Sequence, residues 1–118
     1  MIYFASERIR AFIRFISRED IPPVDLFVVP GYDALEINDA IHDKTYAFGA
    51  YDPDNARIIV PEGITEKDKE LVLSTIAHEY FHHIEKATGA EHNEENAEKY
   101  AAEKIEQWKI VEDFLKKE

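Results

Sequence analysis

The sequence predicts a single α+β domain over residues 1–118, with a small three-stranded sheet packed against about three helices. Apolar residues recur every three or four positions in three segments, which is the spacing of helices with a buried face. Between the first two of these segments, short β-prone runs are bounded by Pro, Gly, Asp and Asn, which is typical of strands and turns. A chain of 118 residues is long enough for one domain with its own core.

The first half of the chain predicts a helix, a strand and a hairpin. The apolar spacing indicates a helix over residues 2–18, and the apolar run at residues 24–30 indicates a strand. Residues 33–43 fit either a short helix or a loop. The runs at residues 46–51 and 57–60 flank an Asp-Pro-Asp-Asn cluster, so they predict a hairpin.

Two long helices are predicted in the second half. The first has Thr65 as its N-cap and runs to about Thr88, where Gly89 ends it. Asn93 is the predicted N-cap of the second helix, and the glutamates after it suit the helix dipole. The apolar stripe of this last helix consists of Ala97, Ala101, Ile105, Trp108, Val111 and Leu115.

The amino-acid composition limits which partners and which kinds of metal ligand are expected for this protein. The net charge of −11, from 25 acidic and 14 basic side chains, disfavours nucleic acid as a partner because phosphate binding needs concentrated positive charge. There is no cysteine, so a metal ion would have to be held by histidine and carboxylate. The sequence predicts neither a signal peptide nor a membrane span, and a cytoplasmic location is the expectation.

The central helix carries a His-Glu-x-x-His motif. His78 and His82 are four residues apart, so on a helix both imidazoles lie on one face and reach the same ion. Glu79 is rotated by about 100° from His78, which places it beside the ion's open position, where a general base acts on water. The residues around the motif are apolar on nearly every side, and this favours a buried metal-binding helix over a chance match.

A catalytic zinc site needs a third protein ligand. Glu94 is the preferred candidate because it continues the apolar stripe of the last helix and a short turn brings it back to the histidines. His92, Glu95 and Glu98 remain alternatives. Glu98 lies one turn beyond Glu94 and is placed to accept the second N–H of a ligating imidazole.

Three separated motifs of this sequence resemble those of one class of peptidase. Residues 94–98, Glu-Glu-Asn-Ala-Glu, downstream of the His-Glu-x-x-His motif, resemble the Glu-x-x-Ala-Asp motif of gluzincin metallopeptidases. Residues 46–48 and 58–64 are similar to the Asn-Ala-Phe and Ile-x-Val-x-x-Gly-Leu patterns of the CAAX prenyl protease and heat-shock membrane protease families. Because those domains sit among transmembrane helices, the likeness is closest to the soluble minigluzincins.

This resemblance implies a minimal gluzincin-like zinc metallopeptidase domain that cleaves small or unfolded polypeptides. It implies one Zn²⁺ per chain with His78, His82 and Glu94 as ligands and Glu79 as the base. It also implies a latent enzyme, restrained by self-association or by a terminal segment lying in the cleft. The upper-rim strand that would pair with an extended peptide contains Ala47, Phe48 and Gly49.

Two questions of function stay open at the level of sequence. The Ala97-x-x-Tyr100 run also resembles the ImmA/IrrE class, which implies a regulatory metalloprotein with narrow or no proteolysis as the alternative; a purely structural zinc site is a third interpretation. For the stabiliser of the developing oxyanion, Tyr100, His92 and His83 are candidates, and the sequence does not choose among them.

Overall fold

The computed structural model describes residues 2–31, 35–37, 45–67 and 69–116. These residues form six strands and four helices in an α+β arrangement. In chain order the elements are β1 (Ile2–Tyr3), α1 (Glu7–Ile16), β2 (Asp25–Val29), β3 (Leu35–Ile37), β4 (Thr45–Ala47), β5 (Ala50–Asp52), β6 (Arg57–Pro61), α2 (Glu62–Lys67), α3 (Lys69–Thr88) and α4 (Glu94–Lys116).

The main sheet has four strands in the order β1-β2-β6-β5, so the expectation of a three-stranded sheet is wrong. β1, β2 and β6 run parallel to one another, and β5 pairs antiparallel with β6. The predicted strand over residues 24–30 is confirmed as β2, and the predicted hairpin is confirmed as β5 and β6. Residues 46 and 47, predicted within that hairpin, lie instead in β4, which pairs antiparallel with β3 in a separate two-stranded sheet.

The first helix is shorter than predicted because its first residues form the extra strand. Ile2 and Tyr3 pair with Leu26 and Phe27 of β2, and α1 begins only after Ser6, whose hydroxyl accepts a hydrogen bond from the Ile9 amide at 3.3 Å. The spacing of the apolar residues continues back to Ile2 and favours a helix there. The parallel pairing with a distant strand overrides that local spacing.

The central helix begins later than predicted and ends where predicted. Thr65 is not its N-cap, since it lies inside α2, where its hydroxyl donates to the carbonyl of Glu62 at 2.7 Å. At the other end, Gly89 adopts a positive φ of 75°, and the Ala90 amide donates to the carbonyl of Glu85 at 2.9 Å. This is a Schellman motif, in which glycine avoids the steric cost of the left-handed conformation.

The core lies between the main sheet and helices α1, α3 and α4. Helix α3 contacts β5 and β6 of the sheet as well as α1 and α4, and its residues Val72, Leu73 and Ile76 are fully buried. The stripe of α4 is confirmed through Trp108, Val111 is half-buried, and Leu115 is exposed, so the predicted stripe is too long by about one turn. The aromatic side chains of Phe12 and Trp108 meet edge to face at the junction of α1 and α4.

Two further expectations are a short helix or a loop over residues 33–43 and the absence of a membrane-spanning helix. Of residues 33–43, the structure describes Leu35–Ile37, which form β3, and the rest of that segment lies outside the described residues. Among the described residues, no helix combines the length and the apolar character that a membrane crossing requires.

Candidate metal centre

The structure brings the predicted ligands His78, His82 and Glu94 together. The two histidines project from adjacent turns of α3, and their Nε2 atoms lie 3.2 Å apart. Glu94, the first residue of α4, places Oε2 at 2.9 Å from His78 Nε2 and Oε1 at 2.8 Å from His82 Nε2. One carboxylate therefore faces two imidazole nitrogens, and the three side chains converge on one point.

The outward nitrogen of each imidazole faces a second carboxylate. His78 Nδ1 lies 3.1 Å from Oε1 of Glu98, the residue predicted for this place. His82 Nδ1 lies 2.6 Å from Oε1 of Glu85. The role of Glu85 was missed at the level of sequence, although a signal existed: it comes three residues after His82 and so lies on the same face of α3.

Each imidazole has a carboxylate next to both of its ring nitrogens. A carboxylate only accepts hydrogen bonds, so when a neutral histidine donates from Nδ1 to Glu85 or Glu98, its Nε2 lone pair faces Glu94. Lone pair and carboxylate then face each other at 2.8–2.9 Å, which is favourable only with a proton or a cation between them. The donor set therefore fits a metal ion.

The pKa values of two carboxyl groups in the cluster, Glu79 and Glu94, are shifted in opposite directions. Burial raises the pKa of Glu79 above its ordinary value, and His78 and His82 oppose this only in part. For Glu94, burial also acts to raise the pKa, but the two histidines outweigh it and hold the pKa below its ordinary value. Glu94 thus loses its proton more readily than a free glutamate, and Glu79 loses its proton less readily.

Glu79 lies beside the point of convergence. Its Oε1 is 4.0 Å from His78 Nε2, its side chain is 13% exposed, and it lines the cleft. Besides His78, His82 and Glu94, two overlapping groups of described residues have donor atoms close enough to hold a metal ion. The first is His78 with Glu79 and His82, and the second is His82 with His92 and Glu94.

No protein-family model, curated protein or solved structure matches the chain.

The resemblance to minigluzincins therefore stays a prediction, and the functional assignment depends on the geometry of the site. That site opens into a cleft of about 510 Å³, whose lining includes His78, Glu79, His82 and Glu94. A second, smaller cavity of about 260 Å³ shares Gly49, His78 and Glu79 with the first. Glu79 thus lines both cavities.

The edge of the sheet borders this cleft. β5 is the last strand of the main sheet, and its residues Ala50 and Tyr51 line the larger cavity. Of the residues predicted to bind an extended peptide, Gly49 lines both cavities and Phe48, which is 52% exposed, lines the smaller one. Ala47 is the last residue of β4, paired with Leu35 of β3.

The three candidates for the oxyanion stabiliser occupy different environments. His83 is buried, donates from Nε2 to the carbonyl of Pro22 at 2.7 Å, and accepts at Nδ1 from the Tyr51 hydroxyl at 2.7 Å. Tyr100 has a buried hydroxyl with no hydrogen-bond partner among the described residues, burial raises its pKa, and it is not among the residues that line the two cavities.

His92, the third candidate, lines the larger cavity. Its ring stacks on His82 with the ring centroids 4.2 Å apart, and its Nε2 lies 2.7 Å from Oε1 of Glu94. Of the three candidates, His92 is thus the one whose side chain lines the cleft. Tyr51, which holds His83 from the cleft wall, is a site residue that no sequence pattern indicates.

Proposed function

We propose that the chain is a zinc-dependent metallopeptidase of gluzincin type that hydrolyses peptide bonds in small or unfolded polypeptides. The observation that carries the proposal is the convergence of two imidazole Nε2 atoms and one carboxylate beside a half-buried glutamate that lines two adjoining cavities. A site that served only to stabilise the fold would need neither the glutamate nor the cleft.

Zinc suits this donor set. It is commonly held in catalytic sites by two histidines and one glutamate, at about 2.0–2.2 Å, with a fourth position left open. Ligand atoms around a tetrahedral ion at these distances lie about 3.3–3.6 Å apart. The Nε2 atoms of His78 and His82 are 3.2 Å apart, and the Glu94 oxygens lie nearer to them, at 2.8–2.9 Å. When bound, zinc would polarise a substrate carbonyl and make a water acidic enough to lose a proton near neutral pH.

The residues of the chain supply the remaining chemistry. Glu79 would accept the proton of the attacking water and deliver it to the leaving amine, and its raised pKa makes the carboxylate a better base. The open edge of β5, together with Phe48 and Gly49 before it, would hydrogen-bond the backbone of an extended peptide across both cavities. His92 would contact the carbonyl oxygen as negative charge develops on it.

The size of the cleft limits the substrate class. Cavities of about 510 and 260 Å³ that share Gly49, His78 and Glu79 as lining residues have room for only a few residues of an extended chain. A folded protein does not present such a segment to a shallow groove. Flexible or unfolded polypeptides are therefore the proposed substrates, and we propose no nucleic-acid partner for a chain of net charge −11.

The test is a Glu79→Gln substitution, which preserves the shape of the side chain and removes the proton acceptor. Zinc content, measured by elemental analysis, should remain that of the parent. Cleavage of a peptide library, assayed at low protein concentration to relieve self-association, should fall by about 10²–10⁴-fold. Equal cleavage by parent and variant would exclude Glu79 as the base. A zinc-loaded parent that cleaves no peptide would favour the regulatory alternative of the ImmA/IrrE type.

A further inference from the structure

Glu85 is a buried carboxylate on α3 to which the proposed reaction assigns no step. The residue is 5% exposed, and a carboxylate in such a place is costly unless hydrogen bonds satisfy it. Its two oxygens have separate partners: Oε1 accepts from His82 Nδ1 at 2.6 Å, and Oε2 accepts from the backbone amide of Asn93 at 2.8 Å. One side chain thus joins two elements of the site.

The second partner, Asn93, lies directly before the metal ligand Glu94. Asn93 is the N-cap of α4, since its Oδ1 accepts from the Asn96 amide at 2.9 Å. The position of the Asn93 backbone therefore sets where α4 starts and where Glu94 points. The Glu85 carboxylate, which also lines the cleft, holds this backbone through its hydrogen bond from the Asn93 amide.

The backbone of Glu85 also holds the beginning of the segment that connects α3 to α4. The carbonyl of Glu85 accepts from the Ala90 amide at 2.9 Å in the turn that ends α3. The five residues between α3 and α4 are thus tied to Glu85 near both of their ends. A short connection held in this way leaves Glu94 little freedom relative to the two histidines.

We propose that Glu85 is a positioning residue that fixes two of the three metal ligands at once. Through Oε1 it keeps the hydrogen of His82 on Nδ1 and leaves Nε2 free to bind a metal. Through Oε2 it anchors the start of α4 and with it Glu94. This inference rests on the metal-binding part of the proposed function and not on peptide hydrolysis.

Glu85→Gln is a sharp test because both oxygens of Glu85 act as acceptors. Glutamine has one oxygen and one NH₂ group, so it cannot accept from both partners. If the NH₂ faces His82, it donates to Nδ1 and moves the histidine hydrogen to Nε2, which blocks metal binding. If the NH₂ faces Asn93, two donors oppose each other and the start of α4 loosens.

The expected result is a zinc affinity about 10–100-fold lower than that of the parent, measured by competition with a chromophoric chelator. In the metal-free proteins, ¹⁵N NMR of the histidine side chains should show His82 with its hydrogen on Nδ1 in the parent and a changed tautomer in Glu85→Gln. Glu95→Gln is the matched control. It removes the same charge from a candidate ligand that the structure pairs with Lys99 at 3.3 Å, and Glu106→Gln removes it from an exposed residue of α4 away from both cavities. The Glu106→Gln protein should keep the zinc affinity of the parent, and the Glu95→Gln protein should match it.

The parent alone provides a measurement that does not depend on folding of the variant. The amide of an N-cap residue has no partner inside its helix, so slow hydrogen exchange at Asn93 would support the bond to Glu85. Fast exchange there, or parent-like zinc affinity and tautomer in Glu85→Gln, would overturn the inference. A parent that binds zinc without cleaving peptides overturns the proposed function only, whereas a parent that binds no divalent metal overturns both.

Discussion

The two histidines of the cluster are held by carboxylates in very different surroundings. The side chain of Glu85, which holds His82, is 7% exposed, whereas the side chain of Glu98, which faces His78, is 73% exposed. Water can replace Glu98 as an acceptor, but the buried position of Glu85 offers no such replacement. We therefore expect Glu98→Gln to weaken zinc binding less than Glu85→Gln, in the same chelator competition.

Glu94 and His92 should differ sharply in their importance for the metal. Glu94 faces both imidazole nitrogens, whereas His92 contacts Glu94 and the face of the His82 ring. Glu94→Ala should lower zinc affinity by more than the 10–100-fold typical of a lost second-sphere partner, and His92→Ala should leave it close to that of the parent. Elemental analysis after dialysis distinguishes the two. Loss of zinc in His92→Ala with retention in Glu94→Ala would make His92 the third ligand.

Local patterns in the sequence are sufficient to predict the parts of the site that lie on one helix. His78, Glu79 and His82 are related by helical spacing alone, and the turn signals at Gly89 and Asn93 bring Glu94 back to them. The pairing of Ile2 with Leu26 is different, because a parallel register between distant segments leaves no local pattern in the sequence. For the same reason Tyr51, which reaches His83 from another element, could not be predicted.

Two secondary-structure elements approach each other closely at Gly49, which lies directly before β5 and faces Thr75 of α3. A Cβ atom at this position would lie 2.3 Å from Thr75 Cγ2, and the Thr75 side chain is held by its hydroxyl, which donates to the carbonyl of Leu71 at 2.8 Å. Gly49→Ala should therefore destabilise the protein by about 1–3 kcal/mol in denaturant unfolding, the usual cost of overpacking. Thr75→Ser removes the clashing methyl group and keeps the hydroxyl, so the double variant should recover most of the loss. Equal destabilisation with and without Thr75→Ser would place the strain elsewhere.

Helices α1 and α4 are joined by an ion pair whose contribution depends on pH. Arg8 binds Glu112 through two contacts, Nε to Oε2 at 3.0 Å and Nη2 to Oε1 at 2.9 Å, and this holds the pKa of Glu112 below its ordinary value of 4.5. A carboxyl group whose pKa is lower in the folded state stabilises the fold above its unfolded pKa, and this stabilisation is lost as the pH falls through the folded pKa.

Glu112→Gln should therefore lower the free energy of unfolding at pH 7 by about 0.2–1 kcal/mol, since the pair is partly exposed to solvent. The difference from the parent should shrink as the pH falls below 4.5. Denaturant unfolding of both proteins at several pH values measures this difference. Glu106 is an exposed residue of the same helix, so Glu106→Gln controls for the change in net charge. If Glu112→Gln lowers the free energy of unfolding as much well below the folded pKa as at neutral pH, the ion pair is not the cause of that loss.

Across the whole molecule, the candidate metal centre and the hydrophobic core are separate sources of stability. The core joins the main sheet to α1, α3 and α4 through residues such as Phe12, Ile76 and Trp108, and none of these lies among the proposed ligands. A bound ion would connect α3 to the first turn of α4, where Glu94 is 62% exposed. Removal of the ion should loosen that connection and leave the packing of the core in place.

Chelation of the zinc-loaded protein should therefore lower its melting temperature without unfolding it at room temperature. An ion that binds only the folded state stabilises it by roughly 3–4 kcal/mol at 100 to 1,000 times Kd, which for 118 residues corresponds to a shift of roughly 10–15 °C. Far-UV circular dichroism at about 25 °C should change little on addition of chelator, and the shift should reverse when zinc is restored. Glu94→Ala is the control and should show little shift with chelator. Complete loss of helicity on chelation would instead assign the ion a structural role, as in small domains that fold only around their metal.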